Sequence, residues 1–270
     1  MTDTLQPPLE DRAEFGTFNR AILLRRNNSG DGRGDTIVAD LEDDFHRFRV
    51  MLGHDGERVT SVEGEAQRHP WSACPGAVAP LRLLVGTPLN ERCTKLTKHA
   101  DIRSNCTHLF DIAGLAIAFA TRKEEQRFYL ATLPRGLLDR KVARLYKNNA
   151  LALEWEVGKT EIFQPEKYAG VSMKGDFVSW VEDNLDAEEA EAASILRRCI
   201  YIGSGRGKDL KSGTVARVYG NKIGACHTYK PGTAENAIWM DGSRQDWTEC
   251  QDRLLSDVRT LDESRAIIGS

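Results

Sequence analysis

An α+β fold, with antiparallel sheet packed against a few helices, is what this sequence predicts. Three observations carry that expectation. Between residues 20 and 66, short β-branched and aromatic stretches are separated by turn residues such as Asp55 and Gly56. Residues 112–120 are almost all apolar, as a buried helix would be. Further on, Leu151, Leu153, Trp155 and Val157 alternate with Ala152, Glu154 and Glu156, the pattern of a half-buried strand.

Taken in order, residues 1–19 read as a flexible arm in which Pro7 and Pro8 block regular structure. Residues 20–26 form a strand, and the polar, Gly-rich stretch 27–35 forms a loop. Residues 36–41, 45–52 and 58–66 give three more strands, the last two joined by an Asp55-Gly56 hairpin turn. In the 45–52 strand, alternation places His46 on one face with Phe48 and Val50, pointing into the core. Pro75 suits the first turn of a helix running to Leu84, and residues 95–101 suit a short polar helix or loop. Ser104 and Asn105 are good N-caps, so a central buried helix is predicted over 105–121. On it, Leu109, Ile112, Leu115, Ala116 and Phe119 share one face.

After this helix, strands are predicted at 128–133, 142–146 and 151–157, and helices at 177–185 and 187–202. The second helix begins with Glu188, Glu189 and Glu191 and later carries Arg197 and Arg198, a polarity that suits the helix dipole. The Gly-rich stretch 203–208 follows a helix instead of preceding one. It therefore reads as a C-terminal cap and loop and not as a phosphate-binding loop. A last helix is expected over 249–258 and a tail over 259–270. Residues 20–258 are expected to form a single domain, because motif regions far apart in sequence can converge in space.

The composition excludes several function classes. Of 270 residues, 40% are hydrophobic and 29% charged, a globular balance, and the net charge of −3 gives no field that favours nucleic acid. No apolar run approaches a membrane span, and the start, Thr2-Asp3-Thr4, has no charged-then-apolar signal pattern. Cysteines 74, 93, 106, 199, 226 and 250 form no CxxC pair and read as reduced thiols of a cytoplasmic protein. No internal repeat is visible in the sequence.

The densest chemistry lies at the start of the central helix, in Cys106-Thr107-His108-Leu109-Phe110-Asp111. A helix N-terminus offers free N–H groups, lowers a thiol pKa and attracts anions. His108 falls within the apolar face and Asp111 lies at its edge, where a carboxylate can orient the imidazole. The plainer reading is a hydrogen-bonded core histidine. Cys106, His108, Cys226 and His227 are zinc ligands by type. On a helix, however, positions 106 and 108 point about 200° apart, and adjacent strand residues face opposite ways, so no metal is expected. For the same reason Cys106 would need a base from elsewhere to act as a nucleophile, and a small buried thiol is the simpler account.

These motifs, with Cys74-Pro75-Gly76-Ala77, Phe45-His46-Arg47-Phe48, Arg68-His69-Pro70-Trp71 and the Cys226 to Trp247 stretch, are similar to those of a bacterial family. The chain resembles, over about 20–255, the family catalogued only as a domain of unknown function, number 2889. The polar 27–35 segment departs from that pattern. The resemblance implies a bacterial cytoplasmic protein and supplies no reaction.

The function expected from these residues is a non-redox enzyme without a cofactor, of lyase, hydratase, isomerase or hydrolase type. It would act by acid–base chemistry on a small hydrophobic or aromatic oxygenated metabolite. His108, Asp111 and His46 are the catalytic candidates. Arg68 is expected to hold an oxyanion, and Cys106, Thr107, Trp71, Tyr229, Arg244 and Asp246 to line the substrate. The Cys74, 106–111 and 241–246 segments should then meet in space. Two alternatives stay open: a non-catalytic small-molecule-binding or assembly protein, and a cysteine- or zinc-dependent hydrolase. The expected partner is a small-molecule substrate, with no nucleic acid and no membrane; a homo-oligomer is left open.

Overall fold

The computed structural model describes residues 16–28, 35–99, 104–136, 139–204 and 211–259. Most of the expected N-terminal arm, the tail and the 203–208 loop lie outside them. Eight strands form one antiparallel sheet: β1 Thr17–Asn28, β2 Asp35–Asp43, β3 Arg47–His54, β4 Val59–Arg68, β5 Gln126–Pro134, β6 Lys141–Lys147, β7 Ala150–Val157 and β8 Ile162–Gln164. Their spatial order is β4-β3-β2-β1-β5-β6-β7-β8. Three α-helices stand out among the described residues, α1 Thr107–Ala120, α2 Phe177–Asn184 and α3 Ala187–Gly203. The α+β class and the buried central helix are therefore as the sequence predicts.

The chain runs through a four-strand meander and then helix, twice, and the two halves join where β1 pairs with β5, Ile22 lying opposite Tyr129. This repetition of topology has no counterpart visible in the sequence, because a strand needs only alternation and a turn, which many sequences supply. Asn148 and Asn149, both at positive φ, make the tight β6–β7 turn that Asn tolerates. The central strands are buried on both faces. Phe18, Ile22, Leu24, Tyr129, Ala131 and Leu133 pack toward the helices. Ala21, Leu23, Phe128 and Leu130 pack on the other side against Leu254 and Leu255, with Trp247 and Val258 alongside. On this second face Asp40, fully buried, holds Arg25 and Arg49 at 2.8 Å and Arg47 at 3.2 Å.

Helix α1 is apolar all round because it is enclosed. One side lies on β1, β2 and β3, and the other meets the 3₁₀ turn Cys93–Lys98. The predicted helix after Pro75 is instead two 3₁₀ turns, Cys74–Ala77 and Ala79–Leu84, since Pro80 cannot sit inside an α-helix. The predicted last helix is also absent. Its place is taken by a 3₁₀ turn, Gln251–Arg253, and a left-handed Leu255 that lets Leu254 and Leu255 both enter the sheet face. The arm boundary shifts as well, because β1 already begins at Thr17.

Gly114 is where α1 touches backbone: a Cβ there would lie 2.8 Å from the Cys93 carbonyl oxygen. In an open helix Gly→Ala gains about 1 kcal/mol. Here we expect Gly114→Ala to destabilise the fold by about 1–3 kcal/mol, the scale of overpacking, as read from urea unfolding midpoints.

Candidate functional site

The β2–β3 turn builds the site. Asp43 ends β2, and its Oδ1 accepts the backbone N–H of Phe45 at 2.8 Å and of His46 at 2.9 Å. The same oxygen takes the His46 Nδ1 at 2.9 Å. A carboxylate acceptor assigns the proton to Nδ1 and leaves Nε2 of His46 as the basic nitrogen. Arg20, opposite Asp43 on β1, brings a terminal nitrogen to 3.5 Å from its other oxygen. Helix α1 then delivers His108 onto His46, the two rings stacked with centroids 3.9 Å apart and 28° between planes. Phe48 closes the cluster at 5.3 Å from the His46 ring and 6.0 Å from the His108 ring.

Cys106 is the N-cap of α1, with extended backbone at φ −74 and ψ 124, and not a residue of the helix. The divergence of helical positions 106 and 108 therefore does not apply. The Cys106 Sγ lies 3.6 Å from the His108 Nδ1. His108 Nε2 is buried with no hydrogen-bond partner in the protein.

Burial dominates the electrostatics. It lowers the His108 pKa well below the ordinary imidazole value, and the charges of His46, Arg20 and Arg198 push the same way. Burial also lowers His46, against the pull of Asp43. Both rings are thus neutral at pH 7. Asp43 is raised by burial, but the neighbouring His46 and Arg20 outweigh this and take it down to about 2, so it stays ionised. Burial, with Asp43 next to it, raises Asp44 to about 8. The Cys106 thiol is pushed up by burial, then by Cys74, so it is a protonated thiol and a weak nucleophile.

The other predicted residues separate into several places. Asp111 is turned away from His108 and pairs with Arg198 through Nε at 2.5 Å and Nη2 at 3.0 Å. Arg68 is a clamp on the turn: it donates to Glu42 and to the carbonyls of Asp43, Asp44, His46 and Ser243, which engages its fork. Trp71 and Tyr229 sit in a separate small core with Trp239 and Tyr219, rings 5.5–6.1 Å from Trp71. Thr107 is the half-buried first residue of α1. Arg244 is exposed, and Asp246, also exposed, pairs with Arg135 at 2.9 Å.

The three motif segments are linked only through intermediaries. Cys74 lies 3.5 Å from Thr228, and the His227 N–H bonds the Asn105 carbonyl next to Cys106. The 241–246 segment reaches the other side of the turn, where the Gln245 N–H bonds the Asp44 carbonyl. Among the described residues, no three His, Cys, Asp or Glu groups come together as a metal cage.

Sequence reasoning missed Asp43 and Arg20. Both carried a signal. Arg20 is a charge in phase with Ile22 and Leu24 on a buried strand face, and Asp43 heads an Asp-Asp-Phe-His turn of the type that caps itself. Beside the cluster a cavity of about 120 Å³ opens between α1, α3 and the sheet, with Arg20, Ile22, Leu41, Phe110 and Leu115 in its walls. Neither imidazole is a wall residue. Arg20 spans the two, since its charge is felt at both rings while its side chain lines the cavity.

Acidification tests the neutral state of the rings. A histidine whose folded pKa is depressed contributes stability above about pH 6.5 and loses it as pH falls, at about 1.4 kcal/mol per pH unit. Asp44, raised, slopes the opposite way, losing stability as pH rises toward about 8. The comparison with His108→Gln cancels that opposing slope. We expect the variant to lose less stability than the parent between pH 7 and 5, as read from unfolding free energies at each pH.

No family model matches this chain, and no curated protein matches it.

Proposed function

We propose that the chain is an enzyme that moves protons with its own side chains, of the lyase, hydratase, isomerase or hydrolase kind, on a small apolar oxygenated metabolite. One observation carries this reading: an Asp43-oriented His46 stacked on His108, beside a cavity that shares Arg20 with the pair. Two neutral imidazoles in different environments are a base and its proton-transfer partner near neutral pH. His46, with its Nδ1 held by the carboxylate, is the stronger base. The positive charge that forms on it is balanced by Asp43, already ionised. His108, which the notional helix partner Asp111 does not reach, takes the second position.

A second reading, binding without turnover, is supported by depth. His46 and His108 are 5% and 8% exposed, and neither lines the cavity. A protonated, buried Cys106 gives little support to a cysteine hydrolase.

The test is turnover of a panel of acidic and neutral oxygenated metabolites by the full chain, followed by mass spectrometry. Turnover should fall by about 10²–10⁴ in both His46→Gln and His108→Gln, measured on variants that still unfold cooperatively. Full activity in both folded variants would remove the histidines from the chemistry. Tight binding of a panel member with no conversion would select the second reading.

A further inference from the structure

We infer that the cavity between α1 and α3 binds a small monocarboxylic acid, whose carboxylate sits on Arg20 and whose hydrocarbon part fills the apolar wall. This rests on the cavity being the substrate site of the proposed enzyme.

Arg20 is 1% exposed, and its Nε, Nη1 and Nη2 have no hydrogen-bond acceptor in the protein. Its Nη2 pairs with the Asp43 carboxylate at 3.5 Å, an ion pair that is not a formed hydrogen bond and leaves Nε and Nη1 unengaged. The fold contains its own comparison. Arg127 lies on the adjacent central strand β5, facing the helices like Arg20 and just as buried. There the protein supplies Glu124, Glu188, Glu191 and the Tyr129 hydroxyl as partners. A buried guanidinium that the fold means to keep closed is thus saturated, and Arg20 is not.

The other cations of the cavity are engaged. Arg198 is held by Asp111 through two contacts. Arg197 donates to the Met173 carbonyl at 2.6 Å and stacks on Phe177 and Tyr201 at 4.9 and 5.0 Å. A guanidinium fork that lacks a hydrogen-bond acceptor in the protein matches one carboxylate bidentately, with the lining giving way to admit it. A phosphate dianion would need more open donors than this wall provides. The remaining lining is mostly apolar, from Ile22, Leu41, Phe110, Leu115, Val178 and Ile195, and the polar groups among it are engaged, Asp111 by Arg198 and the hydroxyls of Thr94, Thr97 and Ser194 by acceptors within the protein. At about 120 Å³ the space approaches that of apolar cavities of about 150 Å³ that take up benzene, which sets the acid's hydrocarbon part, without the carboxylate, at about three to six carbons. The carboxylate on Arg20 would place the acid's polar end toward the Asp43–His46–His108 cluster.

The experiment is calorimetric titration of the full chain with butyrate, benzoate, butyramide and inorganic phosphate. Butyrate or benzoate should bind at least about tenfold tighter than butyramide, the least that loss of a charged hydrogen-bonded pair implies, and phosphate more weakly than either. Arg20→Met, which keeps the length and removes the fork, should erase that preference, and Arg20→Lys should weaken it. Equal binding of butyrate and butyramide, tighter binding of phosphate, or unchanged carboxylate binding in folded Arg20→Met would each overturn the inference. If Arg20→Met does not fold, a crystal structure of the parent soaked in benzoate decides. Benzoate on Arg20 supports the inference, and ordered water there, with benzoate elsewhere or absent, defeats it. Failure here is separable from failure of the enzyme reading. Carboxylates that bind but are turned over without His108 leave this inference standing and remove that reading. Histidine-dependent turnover of neutral compounds alone does the reverse.

Discussion

A carboxylate that must keep its charge away from water organises this fold. Asp43 is fully buried, yet four groups converge on it against the cost of that burial: two backbone N–H donors, an imidazole and a guanidinium across the sheet. Removing one partner of such a buried pair typically costs about 3–5 kcal/mol, because the other is left uncompensated. The turn, the position of His46 and the direction of Arg20 therefore depend on a single side chain. Helix α1 adds His108 to that assembly only because it is buried from every direction, pinned to the sheet on one side and to the Cys93–Lys98 turn on the other.

The two sheet faces solve the problem of buried charge differently. On the face away from the helices, Asp40 gathers three arginines into a closed network under the C-terminal segment. On the helix face, Arg127 and Glu191 do the same at the β5–α3 boundary. Beside the cavity the protein leaves Arg20 Nε, Nη1 and Nη2 and His108 Nε2 buried without hydrogen-bond partners. Of the two central-strand arginines on the helix face, Arg127 is saturated and Arg20 is not, and Arg20 is the one beside the cavity.

Much of the fold was legible because strands and helices of this chain follow simple periodicities. The strands through β7 and all three helices were readable from alternation, turn residues and apolar runs. The misreadings have local causes. Pro80 breaks the helix that Pro75 suits, and the last segment serves the sheet face through a left-handed Leu255 rather than through a helix. For the site, His46 and His108 could be read, since each sits in phase with an apolar face. Their partners could not. Helical spacing pointed His108 at Asp111, but the partner came from a strand end, and pairing across a sheet leaves no fixed spacing in sequence. Arg68, chosen for its fork, spends it on carbonyls of the turn, a role that only the three-dimensional path of residues 42–46 defines.

The seam between β1 and β5 also has a consequence for how the chain comes to be folded. Strand β1 meets β2 as soon as residue 43 is made, but its other edge has no partner until residues 126–134 exist. Through that interval a long strand, apolar on both faces, stands at the margin of a half-built sheet. Such an edge is a template for pairing with other chains, and closing it requires a long-range contact that forms slowly. A ribosome-bound or truncated first half would thus be the sticky species of this protein, and β5 is the element that quenches it.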